Sequence, residues 1–408
     1  MEIKNKNFLV YGAGTSGISA YKFLQQNGAN VYIYADNESE QLDELNCVKN
    51  FSDILNLNIN YAVISPGVQI IGNKNIQKLK GFGILLISEL ELGYLFCKGK
   101  FIAVTGTNGK TTCVSLLGHI LSKKFSTFVC GNIGVPITSI CDKTNDESIV
   151  VCEVSSFMLE LTSPNFAPDI SIITNITPDH IARHKTFAEY FKTKTNITNF
   201  QTKSQFLIID QSLNNLKTNA QKIIASVNKK YKTNLIGLFN QQNIAMCEQV
   251  CKLLGVEKKQ FLKNLKTFSP VKFRLQNLGK KNGITYINDS KSTNPDSTVC
   301  AINSIKKNVI VLLGGSDKGN DFYNIFKQKN IKKAIVYGQT ANKIEHDASF
   351  VGFKNIVKYQ NLKEALNNLK TIAKRGDIVL LSPACASYDE FNNYVQRGEF
   401  FNCFVKEQ

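Results

Sequence analysis

The chain has 408 residues, too many for a single hydrophobic core, so several domains are expected. Apolar residues make up 43% of the chain, but no apolar run approaches the roughly 20 residues that a membrane-spanning helix needs. The net charge of +17 comes mainly from lysines that form no dense basic run with aromatic residues, which argues against a nucleic-acid-binding surface. Anionic small substrates would suit this charge equally well.

The eleven cysteines are scattered without any Cys-x-x-Cys pair. The N-terminus lacks the charged and then apolar pattern of a signal peptide. We therefore expect free thiols, no zinc site and a cytoplasmic protein.

Short β-branched runs alternate with helical patterns along the whole chain, which predicts α/β domains with mostly parallel sheets. We predict three domains: a Rossmann-like N-terminal domain, a central domain of the phosphate-loop ATPase type, and a C-terminal Rossmann-like α/β domain. The predicted bounds are 1–92, 93–269 and 270–408, with a linker at Pro270.

The predicted strands are short apolar runs that end at polar turns. In chain order they lie at 8–11, 31–34, 61–65, 84–88, 101–104, 149–154, 170–175, 284–287, 309–313, 334–337 and 378–381. Helical spacing is found near 18–26 and 243–254. The polar segment 201–234 is predicted to be a reduced, loop-rich region.

A glycine-rich turn follows the first predicted strand. Gly12, Gly14 and Gly17 have the Gly-x-Gly-x-x-Gly spacing, and Asp36 follows about 20 residues later. Such a turn brings the backbone close to a diphosphate at the N-terminus of a helix. Because a second phosphate loop follows so soon, the turn suits one nucleotide diphosphate better than a complete NAD or FAD site. A dinucleotide site and a purely structural turn remain the alternatives.

The segment FIAVTGTNGKTT, residues 101–112, predicts a phosphate-binding loop between a strand and a helix. Val104 stands where the commonest form of the loop has its first glycine, so this loop is a shortened form. Lys110 can reach the β- and γ-phosphates of a nucleotide, and the Thr111 hydroxyl can bind Mg²⁺. The chain has no Asn-Lys-x-Asp motif of the kind that reads guanine, so a kinase or ligase that uses ATP fits better than a GTPase.

Two more polar side chains follow predicted strands. Glu153 ends a buried strand, where Mg²⁺ would neutralise its charge, although a lysine or a helix cap would do so as well. His180 lies among the polar residues of a turn, and a lone histidine is more often structural than functional.

Three polar turns follow strands of the last predicted domain, at 288–295, 314–319 and 382–391. The carboxyl ends of parallel strands meet at one edge of a sheet, where ligands of α/β proteins bind. These turns therefore predict one donor-rich edge, and ordinary solvated loops are the alternative.

Taken together and in this order, the motifs resemble those of the Mur ligase family over nearly the whole chain. The loop at 105–111 is similar to the family's shortened phosphate loop. The other matching segments are 131–134, 153–157, 175–183, 288–294 and 381–387. The last of these, together with a nucleotide-type first domain, resembles the D-glutamate-adding branch of the family.

The resemblance implies that a monomer uses ATP and Mg²⁺ to join D-glutamate to UDP-N-acetylmuramoyl-L-alanine through an acyl phosphate. It implies catalytic roles for Lys110, His180, Lys194 and Arg274. It also implies that Thr111, Glu153, His180 and Lys194 hold the metal, with Lys194 matching the family's carbamylated lysine. The implied ATP contacts are Gly106, Thr107, Asn108, Gly109, Lys110, Thr111, Thr112, Asn243, Arg274 and Asp289. The implied contacts of the UDP-substrate are Gly14, Thr15, Ser16, Asp36, Asn132 and Ser155, and those of D-glutamate are Thr293, Lys318, Ser387 and Tyr394.

The chain departs from the family pattern at several positions. Arg274 lacks the family's neighbouring His and Glu, and an alternative alignment puts Lys272 in its place. Ala182, Phe239 and Met158 stand where the family commonly has Asp, His and Gln, and Asn37-Glu38 leaves the uracil contacts open. A folylpolyglutamate-type ligase and a nucleotide-regulated binding protein without catalysis are the alternative functions.

Overall fold

The computed structural model describes residues 1–36, 45–227, 230–269, 271–317 and 319–408. Asn37-Glu38, Pro270 and the expected D-glutamate contact Lys318 lie outside the described residues. In the part of the chain that is described, no helix is long and apolar enough to span a membrane.

The chain divides into two compact units. Unit 1 comprises Met1–Pro178, Arg183–Asn228 and Gln242–Leu265. Unit 2 comprises Asp179–Ala182, Lys229–Gln241 and Lys266–Gln408.

The first sheet of unit 1 is parallel, and its described strands number four. They are β1 (Asn7–Tyr11), β2 (Asn30–Tyr34), β3 (Tyr61–Ile64) and β4 (Leu85–Ser88), in the order β2-β1-β3-β4. The helices of this part are α1 (Thr15–Gln26), α2 (Phe51–Ile54), α3 (Lys74–Gly81) and α4 (Glu89–Phe96). Strand β1 packs apolar side chains on both faces, because helices cover both sides of a parallel sheet.

The second sheet of unit 1 is also parallel and has six described strands. They are β5 (Lys100–Thr105), β6 (Thr127–Gly131), β7 (Ile149–Glu153), β8 (Ile170–Ile173), β9 (Phe206–Ile209) and β10 (Gln221–Ile224), in the order β10-β9-β8-β5-β7-β6. The next helices in the chain are α5 (Lys110–Leu121), α6 (Ile181–His184), α7 (Phe187–Thr195), α8 (Leu238–Leu253) and α9 (Lys258–Thr267).

The segment predicted to be reduced or loop-rich, 201–234, also contains β9 and β10, which extend the sheet, while most of its other described residues lie in turns and loops. Strand β10 carries two polar residues in four and is half exposed at the sheet edge. An edge strand of this kind lacks the continuous apolar run that identifies a buried parallel strand.

The sheet of unit 2 has six described strands, and β11 is antiparallel to its neighbour while the others are parallel. They are β11 (Gln276–Lys281), β12 (Ile284–Asn288), β13 (Val309–Gly314), β14 (Ile331–Tyr337), β15 (Ile356–Lys358) and β16 (Ile378–Ala384), in the order β11-β12-β16-β13-β14-β15. The helices are α10 (Pro295–Asn303), α11 (Tyr323–Phe326), α12 (Ala341–Phe350), α13 (Leu362–Ile372) and α14 (Tyr394–Lys406). Two buried clusters cover the two faces of this sheet.

The predicted α/β class with mostly parallel sheets is confirmed. Each predicted strand has an observed counterpart whose ends differ by at most a few residues. The phosphate loop lies between β5 and α5, and the glycine-rich turn lies between β1 and α1. Both loops follow the carboxyl end of a parallel strand, which is the edge where ligands bind in such sheets.

Candidate active site

The phosphate loop has the backbone of an anion site. Gly106 and Gly109 have φ angles of 137° and 90°, in the range that side chains rarely adopt. A Cβ atom on Gly109 would lie 2.6 Å from Oδ1 of Asn243, so the expected adenine contact Asn243 already packs against the loop. Helix α5 begins at Lys110 and presents its first N–H groups at the end of the loop.

Asn175 fixes the shape of this loop, a role that the sequence did not reveal. Its Oδ1 accepts the N–H of Asn108 at 3.0 Å, and its Nδ2 donates to the Asn108 carbonyl at 2.9 Å. The Asn175 carbonyl also accepts the N–H of Thr107 at 2.8 Å. The available signal was positional, because Asn175 follows β8 and β8 lies beside β5 in the sheet.

Lys110 and Lys194 meet at the same loop carbonyl. Lys110 donates to the carbonyl oxygens of Gly106 and Thr107, both at 2.9 Å. Lys194 donates to the Gly106 oxygen at 2.8 Å and is only 2% exposed. Its Nζ lies 4.8 Å from the centre of the Tyr190 ring. The sequence offered no reason of its own to single out this lysine, but the structure buries it beside the phosphate loop.

Glu153 is a buried carboxylate beside the loop strand. It ends β7 opposite Val104 of β5 and is 2% exposed. Its Oε1 accepts a hydrogen bond from Nδ2 of Asn132 at 3.2 Å. Its Oε2 is buried and has no hydrogen-bond partner among the described residues. Such an oxygen is costly to bury and suits a hard cation.

A cavity of about 660 Å³ opens at the glycine-rich turn between β1 and α1. Five of the six expected UDP-substrate contacts line it, namely Gly14, Thr15, Ser16, Asp36 and Asn132. The sixth, Ser155, is not among the lining residues, and its Oγ accepts the N–H of Met158 at 3.3 Å. Asn132 therefore lines the cavity and also contacts Glu153.

Arg183 ties one wall of this cavity to the second sheet. Its Nε and Nη2 donate to the two carboxylate oxygens of Glu160, both at 2.7 Å. Nη2 also donates to the carbonyl of Val68 at 2.9 Å, and Val68 lines the cavity. The guanidinium carbon lies 4.1 Å from the centre of the Phe157 ring. The sequence gave Arg183 only as part of a matching segment, and the structure adds this bidentate contact.

In unit 2, Asp289 is a buried carboxylate with three donors. It accepts hydrogen bonds from Oγ of Ser292, Oγ of Ser382 and the N–H of Leu275. Burial raises its pKa from the ordinary 3.8 to about 6, while the three donors and the charge of Arg274 act in the opposite direction. The carboxylate expected at the ribose is therefore also a link between three segments of unit 2.

Arg274 lies in an unusual backbone segment. Its neighbours Phe273 and Leu275 have φ angles of 62° and 41°, which are rare for bulky residues. The Lys291 N–H donates to the Phe273 carbonyl at 3.1 Å, which pins the segment to the turn after β12. The alternative Lys272 is exposed, and its Nζ lies 3.8 Å from a carboxylate oxygen of Glu399.

The remaining expected contacts of unit 2 lie at its turns. Ser387 is buried after β16, Thr293 is half-buried before α10, and Tyr394 begins α14 beneath the Lys291 ammonium, 4.9 Å away. His180 has a φ angle of 54°, and its Nε2 lies 3.7 Å from Oδ2 of Asp179.

The comparisons with known proteins agree with these observations. Residues 104–282 match the Mur ligase middle domain, and residues 273–385 match the glutamate ligase domain of Mur ligases. Two relatives, from Caldicellulosiruptor bescii and Lachnospira eligens, are both called UDP-N-acetylmuramoylalanine--D-glutamate ligase. The first is 35% identical over 100% of this chain and 99% of its own length, and the second is 36% identical over 99% of each.

Solved structures share the fold at lower identity. A MurF ligase from Thermotoga maritima in complex with ADP aligns over 100% of this chain and 96% of its own, at 16% identity and a TM-score of 0.63. The UDP-N-acetylmuramate-alanine ligase MurC of the same organism aligns over 99% and 100%, at 17% identity and a TM-score of 0.59. With full-length relatives above 30% identity and both domain matches in order, this chain belongs to the Mur ligase family.

Proposed function

We propose that this chain catalyses the ATP-dependent ligation of D-glutamate to UDP-N-acetylmuramoyl-L-alanine, releasing ADP and phosphate, in peptidoglycan precursor synthesis. The observation that carries this proposal is the position of Asn132. Its side chain lines the cavity at the glycine-rich turn and donates to Glu153, which ends the strand beside the phosphate loop. One side chain thus connects a nucleotide-type cavity with an ATP-type loop.

The reaction needs activation because a carboxylate is a poor electrophile. The substrate carboxylate attacks the γ-phosphorus of ATP, the bond to the β-phosphate oxygen breaks, and ADP leaves. The amine of D-glutamate then attacks the acyl carbon, and the tetrahedral intermediate expels phosphate while the nitrogen loses its proton. The protein contributes mainly position and charge neutralisation to such a reaction.

The phosphate loop would hold ATP. Gly106 to Gly109 would present backbone N–H groups, and Lys110 would exchange its loop carbonyl contacts for phosphate oxygens. Asn243, which packs against Gly109, would reach the adenine, and Asp289 the ribose. Arg274 rather than Lys272 would attend the phosphates, since Arg274 is half-buried while Lys272 is exposed beside Glu399.

The buried Glu153 Oε2, which has no hydrogen-bond partner in the described part of the chain, fits a Mg²⁺ ligand. Thr111, His180 and Lys194 would complete the ligand set, with Lys194 as a carbamate. Mg²⁺, when bound, would neutralise charge on the transferring phosphoryl group. Among the described residues, no group of three or more His, Cys, Asp and Glu could hold a metal, and the proposed set accordingly includes a hydroxyl and a carbamate.

The cavity at Gly14, Thr15, Ser16, Asp36 and Asn132 would bind the UDP-substrate, with the diphosphate at the N-terminus of α1. D-Glutamate would bind at Thr293, Ser387, Tyr394 and the undescribed Lys318, whose hydroxyls and cation suit two carboxylates. We place these functions in three domains, 1–92, 93–269 and 270–408. The role of Ser155, the monomeric state and the cytoplasmic location stay predictions of the sequence.

A phosphate-release assay tests the proposal. The purified protein should release phosphate from ATP only when UDP-N-acetylmuramoyl-L-alanine and D-glutamate are both present. Equal release with another amino acid would overturn the substrate assignment. Turnover of a folate with L-glutamate would identify a folylpolyglutamate-type ligase, and tight ATP binding without any turnover would indicate a binding protein.

A further inference from the structure

Arg397 is a buried cation whose hydrogen bonds go to uncharged groups. It lies on α14, is 1% exposed and is the largest fully buried side chain of the described residues. No carboxylate in the described part of the chain lies within ion-pair distance of it. Burying a guanidinium is costly unless its N–H groups are satisfied, so its partners indicate why it is there.

Its partners are four backbone carbonyls and one hydroxyl. Nε donates to Oγ of Ser290 at 3.1 Å, and Nη2 donates to the carbonyls of Ser290 at 2.9 Å and Cys385 at 3.0 Å. Nη1 donates to the carbonyls of Ala386 at 3.2 Å and Gly314 at 3.4 Å. The planar fork of arginine can satisfy several acceptors at once, which the single ammonium of lysine cannot do in this geometry.

These acceptors belong to three different turns. Ser290 follows β12, Gly314 ends β13, and Cys385 and Ala386 follow β16. The three strands are neighbours in the order β12-β16-β13, so one guanidinium spans the carboxyl edge of the sheet. The sequence predicted a donor-rich edge from these same turns, but it gave no sign of what holds them together.

The expected D-glutamate contacts lie close in sequence to Arg397 and to the groups that it binds. Ser387 directly follows Ala386, and Thr293 lies three residues after Ser290. Tyr394 lies one helical turn before Arg397 on α14. Its carbonyl accepts a hydrogen bond from Oγ of Ser290 at 2.8 Å. A shift of the guanidinium would therefore move several of the expected contacts at once.

We infer that Arg397 is a positioning residue for the acceptor amino acid, an inference that rests on the proposed function. It holds the three turns in one register, so that their hydroxyls face the two carboxylates of the acceptor together. Without the guanidinium, the four carbonyl oxygens would lose their shared donor, although that of Ala386 would keep the N–H of Ser316, and the turns would separate. The effect concerns the second half of the reaction and spares formation of the acyl phosphate.

The test compares R397K and R397Q with the matched control R375Q, which changes an exposed arginine of the same unit. We expect R397K to raise the KM for D-glutamate by about 10- to 100-fold, the scale of effect that a displacement near 1 Å produces. The KM for ATP should rise by a smaller factor, because Asp289 is the one expected ATP contact within the three turns. At saturating ATP, hydroxylamine, which traps acyl phosphates as hydroxamates, should give the same rate with R397K and wild type in the absence of D-glutamate. R375Q should match wild type in all three measurements.

Amide hydrogen exchange gives a readout that is independent of activity. Exchange should accelerate at residues 289–293, 314–317 and 385–388 in R397K and R397Q, and not in R375Q. If a change at residue 397 prevents folding, S290A removes the acceptor of Nε together with the donor to the Tyr394 carbonyl, and it should shift the KM for D-glutamate in the same direction by a smaller factor.

The outcomes separate the two proposals. A wild-type protein that does not use D-glutamate would refute the proposed function, while faster exchange at the three turns would still support the structural role of Arg397. Normal wild-type turnover with an unchanged KM for D-glutamate in R397K would overturn the inference. So would an equal rise of the KM values for ATP and D-glutamate.

Discussion

Lys110 and Lys194 donate hydrogen bonds to the same atom, the carbonyl oxygen of Gly106, at 2.9 and 2.8 Å. Two ammonium groups at one acceptor repel each other, and the burial of Lys194 strengthens that repulsion. Converting the Lys194 amine into a carbamate would replace the repulsion by attraction. This replacement is what the carbamate proposed for Lys194 would bring to the buried site beside the phosphate loop.

We predict that K194A lowers kcat by about 100-fold or more, the scale seen when one preorganised electrostatic group is lost. Added acetate or formate should restore part of the activity, because a small carboxylate can take the place of the carbamate. K192A, which changes an exposed lysine of the same helix, is the control and should retain wild-type activity. Full activity of K194A without any additive would remove the carbamate from the mechanism.

Asn175 allows a second prediction, which concerns ATP alone. N175A leaves the N–H of Asn108 without its acceptor, and an unsatisfied group costs about 1–3 kcal/mol, while the Asn108 carbonyl keeps the hydrogen bond from Oγ1 of Thr174. The loop should then sample other conformations, so the KM for ATP should rise while the KM for the UDP-substrate stays constant. N199A, an exposed asparagine of unit 1, should change neither value. Equal KM values for ATP in N175A and wild type would contradict the role given to Asn175.

The sequence predicted the positions of the two glycine-rich loops between strand and helix, because glycine spacing reports backbone geometry directly. Gly106 and Gly109 have the positive φ angles that their positions imply, and five expected substrate contacts line one cavity. Asn175, Arg183 and Arg397 were missed as organisers because their partners lie 11 to 116 residues away in sequence. Only the sheet order brings such pairs together, and no local pattern encodes it.

The departures from the family pattern could likewise be judged only in the structure. The sequence left Arg274 and Lys272 as alternatives, and in the structure Arg274 is half-buried while Lys272 is exposed beside Glu399. Gln276, which stands where the family has Glu, accepts the N–H of Phe273 through its Oε1 at 3.1 Å. A neutral amide thus holds the unusual backbone segment beside Arg274, a contact that spacing alone does not reveal.

Arg183 and Glu160 allow a prediction that separates stability from binding. R183M leaves the Glu160 carboxylate, which is only 5% exposed, without its bidentate partner, so the free energy of unfolding should fall by about 3–5 kcal/mol. The double variant R183M/E160L should recover much of that loss, because no buried charge remains unpaired. Both R183M and the double variant should have a higher KM for the UDP-substrate than wild type. In both, the contact of residue 183 with Val68 at the cavity wall is lost.

The control for this cycle is K185M, which changes an exposed cation two residues away. It should alter neither the unfolding free energy nor the KM for the UDP-substrate. Urea denaturation and steady-state kinetics measure the two quantities. A double variant with wild-type affinity would show that Arg183 serves stability alone.

The pH dependence of stability gives the last prediction, through Asp289. Its pKa of about 6 in the folded state lies above the ordinary 3.8, so the folded protein binds this proton more tightly than the unfolded chain does. The stabilisation is complete below about pH 4 and is lost as the pH rises through 6, at up to about 1.4 kcal/mol per pH unit. We therefore expect the unfolding free energy of wild type, relative to D289N, to fall between pH 4 and 6 in urea melts. Parallel curves for wild type and D289N would show that the pKa of Asp289 is the same in the folded and unfolded states.

Asp377 should show the opposite pH dependence. Burial acts to raise its pKa, but the Lys332 ammonium outweighs burial and lowers it. Wild type relative to D377N should therefore lose stability as the pH falls.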